Sequence, residues 1–206
     1  MRFQCDAVTP SGHTKPHATL TAHNMGLVAS DMLTPELVEQ VRAGDRGAFE
    51  RLFRMWYSRL ADYAFRVSGS RDGAEDVVQD VLIAVWHRRE AIPDASKLPA
   101  YLHRAVRNRA LNQIRDLSTA DRAATELGAE SREAPHADAD VLERELSDAI
   151  GSALAELPPR TREIFQLSRE QGLTYQQIAE TLEISVKTVE TLMGRGLRVL
   201  REKLLG

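Results

Sequence analysis

One cysteine, Cys5, occurs in 206 residues, so no disulfide can form within the chain and no cysteine-based zinc site is available. A reducing, cytoplasmic setting is therefore expected. Proline and glycine number only 8 and 12, and aromatic residues make up 5%. Most long segments carry their apolar residues at helical spacing, so the expected fold is all-α. No apolar run approaches the roughly 18 residues that suggest a membrane span, and no membrane insertion is expected. The chain also lacks a nucleophile with a nearby base, a metal-ligand spacing and a phosphate-cradling glycine loop, which argues against an enzyme and against a bound cofactor or metal. His13, His17 and His23 sit in an aperiodic stretch with nothing rigid to fix a coordination geometry, so they too are read as no metal site.

Charge is nearly balanced overall, at -3, but unevenly spread. Between Ala120 and Ala149 nine acids stand against three arginines, a local charge of -6. Its first half lacks an apolar stripe, so a flexible acidic linker is expected over 118–140. Residues 1–33 read as a disordered tail. The remainder divides into two small helical domains, 34–117 and 141–206.

In the second domain, Pro158 and Pro159 follow Leu157, where proline suits a helix's first turn but not its interior. Downstream, "LTYQQIAETLEISVKTVETLMGRGLRVLREKL" reads as helix, break, helix. Thr174 with Gln177 matches a capping box, and Ile178 and Leu182 share a face. Ser185 is a second cap candidate, and Val189, Met193, Leu197, Leu200 and Leu204 step at helical spacing. That leaves Lys187, Thr188, Glu190, Thr191, Arg195 and Arg198 on the outer surface. The spacing fits a helix-turn-helix, whose second helix offers its N-terminal side chains to base edges in the major groove. It also fits an ordinary helical hairpin with a solvated face. Glu183 occupies the turn position where glycine is frequent.

In the first domain, Thr34-Pro35-Glu36 has the order of a helix start, and Phe49, Leu52, Phe53, Trp56, Tyr57, Leu60, Tyr63, Ala64 and Val67 form one wide stripe. Asp72 is the expected cap of a helix that buries Val77, Val78, Val81, Leu82, Val85 and Trp86. Glu75, Asp76, Gln79 and Asp80 then form an acidic outer patch. After the loop "AIPDASKLP" a last helix begins at Ala100. From Lys97 to Arg115 there are five positive charges and no acid, with Asn108, Asn112 and Gln113 interleaved. Arginine and lysine neutralise phosphates, and an amide side chain suits adenine, so this face is a second nucleic-acid candidate. Tyr101 is open between core and base stacking.

"AEDVVQDVLIAVW" (74–86), "AYLHRAVRNRALNQIR" (100–115) and "LPPRTREIFQLSREQGLTYQQIAETLEISVKTVE" (157–190), in this order, resemble the extracytoplasmic-function group of bacterial RNA polymerase sigma factors. The resemblance implies a subunit that joins core RNA polymerase and directs initiation at promoter DNA. It implies that 34–117 is sigma region 2, with Asp76, Gln79 and Asp80 docking on core polymerase. Asn108, Arg109 and Asn112 would lie nearest the minus-10 bases, with Arg104, Arg107 and Arg115 toward phosphates. The loop before that helix is where the family captures an unstacked base. It implies that 141–206 is sigma region 4, with Ser185, Lys187, Thr188, Glu190, Thr191, Arg195 and Arg198 at the minus-35 element. An anti-sigma factor is a further implied partner. Many members carry Lys, Ser and Arg where this chain has Glu190, Thr191 and Leu192, which points to an altered minus-35 preference. Two other readings stay open on the residues alone: a stand-alone dimeric helix-turn-helix regulator, which requires a palindromic site, and an interaction module without DNA contacts.

Overall fold

The computed structural model describes residues 33–123 and 151–205, which are helical apart from short connections. Each helix start has a local cause. α1 (Pro35–Arg42) begins with Pro35 in its first turn, and the Thr34 hydroxyl accepts the Leu37 N–H at 3.2 Å. α2 (Arg46–Ser68) is capped by Asp45, which accepts the Ala48 N–H at 3.0 Å, and it ends on Gly69 in the left-handed conformation. α3 (Arg71–His87) is capped by Ser70, not by the expected Asp72. Ser70 has the extended backbone that a cap needs, and its hydroxyl accepts the Gly73 N–H at 3.2 Å. Asp72 lies inside the first turn, where its charge faces the positive end of the helix.

A single 3-10 turn, Arg89–Ala91, and an irregular loop lead to α4 (Leu98–Ala123). This helix is longer than expected. It runs through 118–123, the start of the segment expected to be linker; 124–140 lies outside the described residues. Leu33, expected in the tail, is buried in the core. The rest of the tail, with Cys5 and the histidines at 13, 17 and 23, is outside the described residues, as is 141–150.

In the C-terminal domain residues 151–155 are helical, followed by α5 (Pro159–Arg169), α6 (Tyr175–Leu182) and α7 (Val186–Leu205). The expected inward face of α3 is buried at Val77, Val78, Val81, Leu82 and Val85, and Trp86 sits at the rim. Its ring lies 4.9 Å from Phe49 and beneath the Arg89 guanidinium at 5.0 Å.

The two domains are not separate in space. α4 packs against α6, and one continuous apolar cluster takes in Leu60, Leu102 and Val106 on one side and Ile164, Ile178 and Leu182 on the other. Burying each such side chain fully is worth about 1.5–3 kcal/mol.

Candidate nucleic-acid interface

The helix-turn-helix is built as its local chemistry dictates. Thr174 accepts the Gln177 N–H at 3.2 Å while the Gln177 side chain accepts the Thr174 N–H at 3.0 Å, so two otherwise unpaired donors are satisfied. At the turn, Glu183 takes the left-handed conformation (φ 55°), which costs a non-glycine residue about 1–2 kcal/mol. Ser185 caps α7 by accepting the Thr188 N–H at 3.0 Å.

Val189, Met193 and Leu200 are buried, whereas Leu197, expected on the same stripe, is exposed. Two successive four-residue steps from Val189 rotate about 80° past two full turns of a 3.6-residue helix, which carries Leu197 off the face. Gly196 fills the inward place instead. An added Cβ there would lie 2.8 Å from Thr161 Cγ2, so α5 and α7 touch nearly backbone to side chain.

Ser185, Lys187, Thr188, Glu190, Thr191, Arg195 and Arg198 are all exposed. Their hydroxyls are partly committed: Ser185 and Thr188 Oγ atoms are 2.8 Å apart, and Thr191 donates to the Lys187 carbonyl at 2.8 Å. Glu190 pairs with Lys187 at 3.4 Å. Leu192 is partly buried, packed against the core.

In the N-terminal domain Glu75, Asp76, Gln79 and Asp80 are exposed on α3. Asp80 is ion-paired to Arg109 of α4, and Asp76, Asp80, Arg109 and Asn112 line a single groove of about 440 Å³ between the two helices. The residues expected to dock polymerase and those expected to meet minus-10 bases therefore adjoin. Asn108 is exposed, and Arg115 donates to Asn112 one turn away.

Arg104 and Arg107, expected toward phosphates, are each paired with a carboxylate of the C-terminal domain. Arg104 pairs with Glu183 of the helix-turn-helix turn, and Arg107 donates to Glu163 of α5 at 2.7 Å. Glu163 also accepts from the Tyr63 hydroxyl at 3.2 Å and from Arg160 at 3.1 Å. Burial opposes the charge on Arg107, but the hydrogen bond and charge of Glu163 outweigh it and leave its pKa raised. Burial, reinforced by Glu163, pushes the Tyr63 phenol up.

Beside this cluster His103 is fully buried, its Nδ1–H donating to the Pro99 carbonyl at 2.8 Å and its Nε2 3.4 Å from the Gln171 carboxamide. Burial lowers its pKa to about 4. Sequence reasoning missed Glu163, Gln171 and His103. The one visible signal of the contact was Glu183, a carboxylate at a turn suited to glycine.

Residues 52–119 match the family model for sigma-70 region 2, and residues 147–200 match that for sigma-70 region 4. An ECF RNA polymerase sigma factor, SigK of Mycobacterium sp. (strain KMS), is 31% identical over 172 residues, covering 80% of this chain and 87% of the relative. The chain belongs to the ECF RNA polymerase sigma factors. As a sigma factor it joins core RNA polymerase and directs promoter-specific initiation of transcription. SigW of Bacillus subtilis (strain 168) is 27% identical, with 84% of this chain and 98% of SigW covered. Among solved structures, CnrH in complex with the cytosolic domain of CnrY is 29% identical with a TM-score of 0.54, covering 82% of this chain and 96% of CnrH. The sigma factor RpoE of Bartonella quintana, solved with the anti-sigma factor NepR, shares the fold at 23% identity with a TM-score of 0.57, over 76% of this chain and 96% of that one. Among the described residues of this sigma factor no helix is long and apolar enough to cross a membrane, and no cluster of three or more metal-ligating side chains occurs.

Proposed function

We propose that the sigma-factor role is divided among three exposed faces. Residues 34–117 act as region 2 and 141–206 as region 4. Asp76, Gln79 and Asp80 on α3 dock on core polymerase. Asn108, Arg109 and Asn112 on α4 meet the minus-10 bases, with Arg104, Arg107 and Arg115 on phosphates. Ser185, Lys187, Thr188, Glu190, Thr191, Arg195 and Arg198 meet the minus-35 element. The observation that carries this reading is the division of α7: every candidate DNA residue on it is exposed, while Val189, Met193 and Leu200 bind the opposite face to the core. An α-helix presented in this way fits the major groove, where Lys and Arg meet phosphates and guanine and Glu accepts from cytosine.

The protein catalyses nothing itself and works in the cytoplasm, where its polymerase is. A protein of the anti-sigma kind is a further partner, a reading supported by CnrH, which is 29% identical and is solved with the cytosolic domain of CnrY.

The test is transcription from a random promoter library with bacterial core polymerase. Starts that depend on the chain and share two spaced upstream elements are expected. Asp76→Lys with Asp80→Lys is expected to abolish co-purification with core polymerase, while exchanges at Thr188 or Thr191 change only the upstream element. Core binding that survives the double α3 charge reversal removes the docking assignment.

A further inference from the structure

The connection between α3 and α4 is tied to α1 by a single arginine. Pro93 pushes the residue before it into extended backbone, and Ile92 accordingly sits at φ -66° and ψ 145° with its side chain buried. That conformation takes the Ile92 carbonyl out of any helical ladder and leaves an acceptor to be paired. Arg42, in the last turn of α1, supplies the donors. Its Nε and Nη2 reach the Ile92 carbonyl at 3.2 and 2.7 Å, Nη2 also donates to the Asp94 carboxylate at 2.9 Å, and Nη1 pairs with Glu39 on its own helix. The Asp94 carbonyl in turn accepts the Lys97 and Leu98 N–H groups, both at 2.9 Å, so the residue that Arg42 holds is the one on which α4 starts.

α4 itself does not depend on this brace, because Leu98, Leu102, Val106 and Ala110 bury its inner face. The polar part of the loop does. Asp94, Ser96 and Lys97 are exposed and have no apolar side chain to anchor them; Gln177 of α6 adds one bond, to the Ser96 carbonyl at 2.9 Å. This loop also runs into the face assigned to the minus-10 element. Lys97, Tyr101, Arg104, Asn108 and Asn112 step by four, three, four and four, which is helical spacing, and all five are exposed. The Lys97 carbonyl accepts the Tyr101 N–H at 3.1 Å, so the stripe begins in the loop.

We infer that Arg42 is a positioning residue for minus-10 recognition: from α1 it holds residues 92–97 in one conformation, so that Lys97 and Tyr101 meet the promoter strand as a continuation of α4. The inference rests on the assignment of α4 to DNA made above. A loop that is already ordered gives up little further freedom on binding, and a loosened one loses part of its discrimination between bases.

The experiment is promoter selection with core polymerase and the full chain, from templates randomised over the downstream element. A wrong base pair ordinarily weakens recognition about tenfold. Arg42→Ala is expected to lose most of that preference at the downstream positions nearest the loop, and to keep core binding and the upstream element. Arg42→Lys keeps the charge but has no planar fork to span Ile92 and Asp94, so a smaller loss at the same positions is expected, and this variant decides the matter if alanine does not fold. Arg42→Ala with Asp94→Ala separates position from charge. The loss is expected to persist there; full recovery means that Arg42 only neutralises Asp94, and overturns the positioning role. Glu39→Gln removes the partner on α1 and leaves the loop contacts, so it is expected to match the wild type, and a loss equal to that of Arg42→Ala traces the effect to α1 and overturns the inference. Wild-type preferences in both Arg42 single variants also overturn it. Asn108→Ala distinguishes that failure from a failure of the α4 assignment: it is expected to shift a downstream preference, and an unchanged element in this variant removes α4 as the reading helix.

Discussion

Two identical substitutions placed two residues apart on α7 are expected to change stability in opposite directions. Gly194 has open space around an added Cβ, so Gly194→Ala stabilises the helix by up to about 1 kcal/mol, the usual difference between glycine and alanine in a helix interior. The same gain is available at Gly196, but there the new Cβ meets Thr161 Cγ2 at 2.8 Å and Leu157 Cδ1 at 3.8 Å. Thr161 is buried and β-branched, so its methyl has few other rotamers to adopt and the helices must shift. Overpacking of this kind costs about 1–3 kcal/mol, which leaves a net loss of about 1 kcal/mol for Gly196→Ala. Urea unfolding of the full chain, followed by circular dichroism, reads both signs. Thr161→Ser removes only the offending methyl and is expected to return most of the loss when combined with Gly196→Ala. If both alanine variants are equally stable, or the serine gives no rescue, then α5 and α7 do not cross at Gly196 and the reading face of α7 is held by something else.

Acid is expected to weaken the folded chain through His103. Its folded pKa of about 4 lies below the ordinary value of about 6.5, so between those pH values the unfolded chain holds a proton that the folded chain lacks. Stability from this group is therefore complete above pH 6.5 and falls as pH drops toward 4, by up to about 3 kcal/mol. Arg59 and Tyr63 on α2, with Gln171 opposite, leave no carboxylate in contact to accept the imidazolium. Glu170, raised by burial, acts in the opposite sense, so the measurement is the pH slope of unfolding in wild type against His103→Gln, and equal slopes refute the assignment. On α7, proposed above to meet the minus-35 element, Glu190→Lys ends the Lys187–Glu190 pair and adds a cation to the exposed face. In promoter selection it is expected to move one upstream position away from the base chosen by the wild type, and an unchanged element would place Glu190 off the base edges.

What the sequence revealed and what it concealed divide by range. The Thr174–Gln177 capping box, the Thr34-Pro35 start, the buried α3 stripe and the exposed α7 face all depend on neighbours within a few residues, and all are present. Asp72 failed as a cap because Ser70, two residues earlier, holds the extended backbone that a cap requires. Leu197 failed because a fixed four-residue step outruns the helix. The domain contact was hidden for another reason. Arg107 and Glu163 are 56 residues apart, and nothing local distinguishes an arginine that will meet phosphate from one that will first meet a glutamate. His103 was concealed in the same way: it was not singled out in the sequence, and it is fully buried at the back of that helix.

A chain of net charge -3 that must bind DNA is less paradoxical once its pairs are weighed. Arg104 and Glu183 are each about half exposed, at 51% and 62%, and a pair so open to water contributes at most about 1 kcal/mol. Arg107 and Glu163, at 21% and 18%, are more sheltered, and Glu163 is further held by Tyr63 and Arg160, so the contact between the domains depends chiefly on this carboxylate and the apolar cluster beneath it. DNA offers many phosphates and releases counterions as each is neutralised, which exceeds two carboxylates in number though not in proximity.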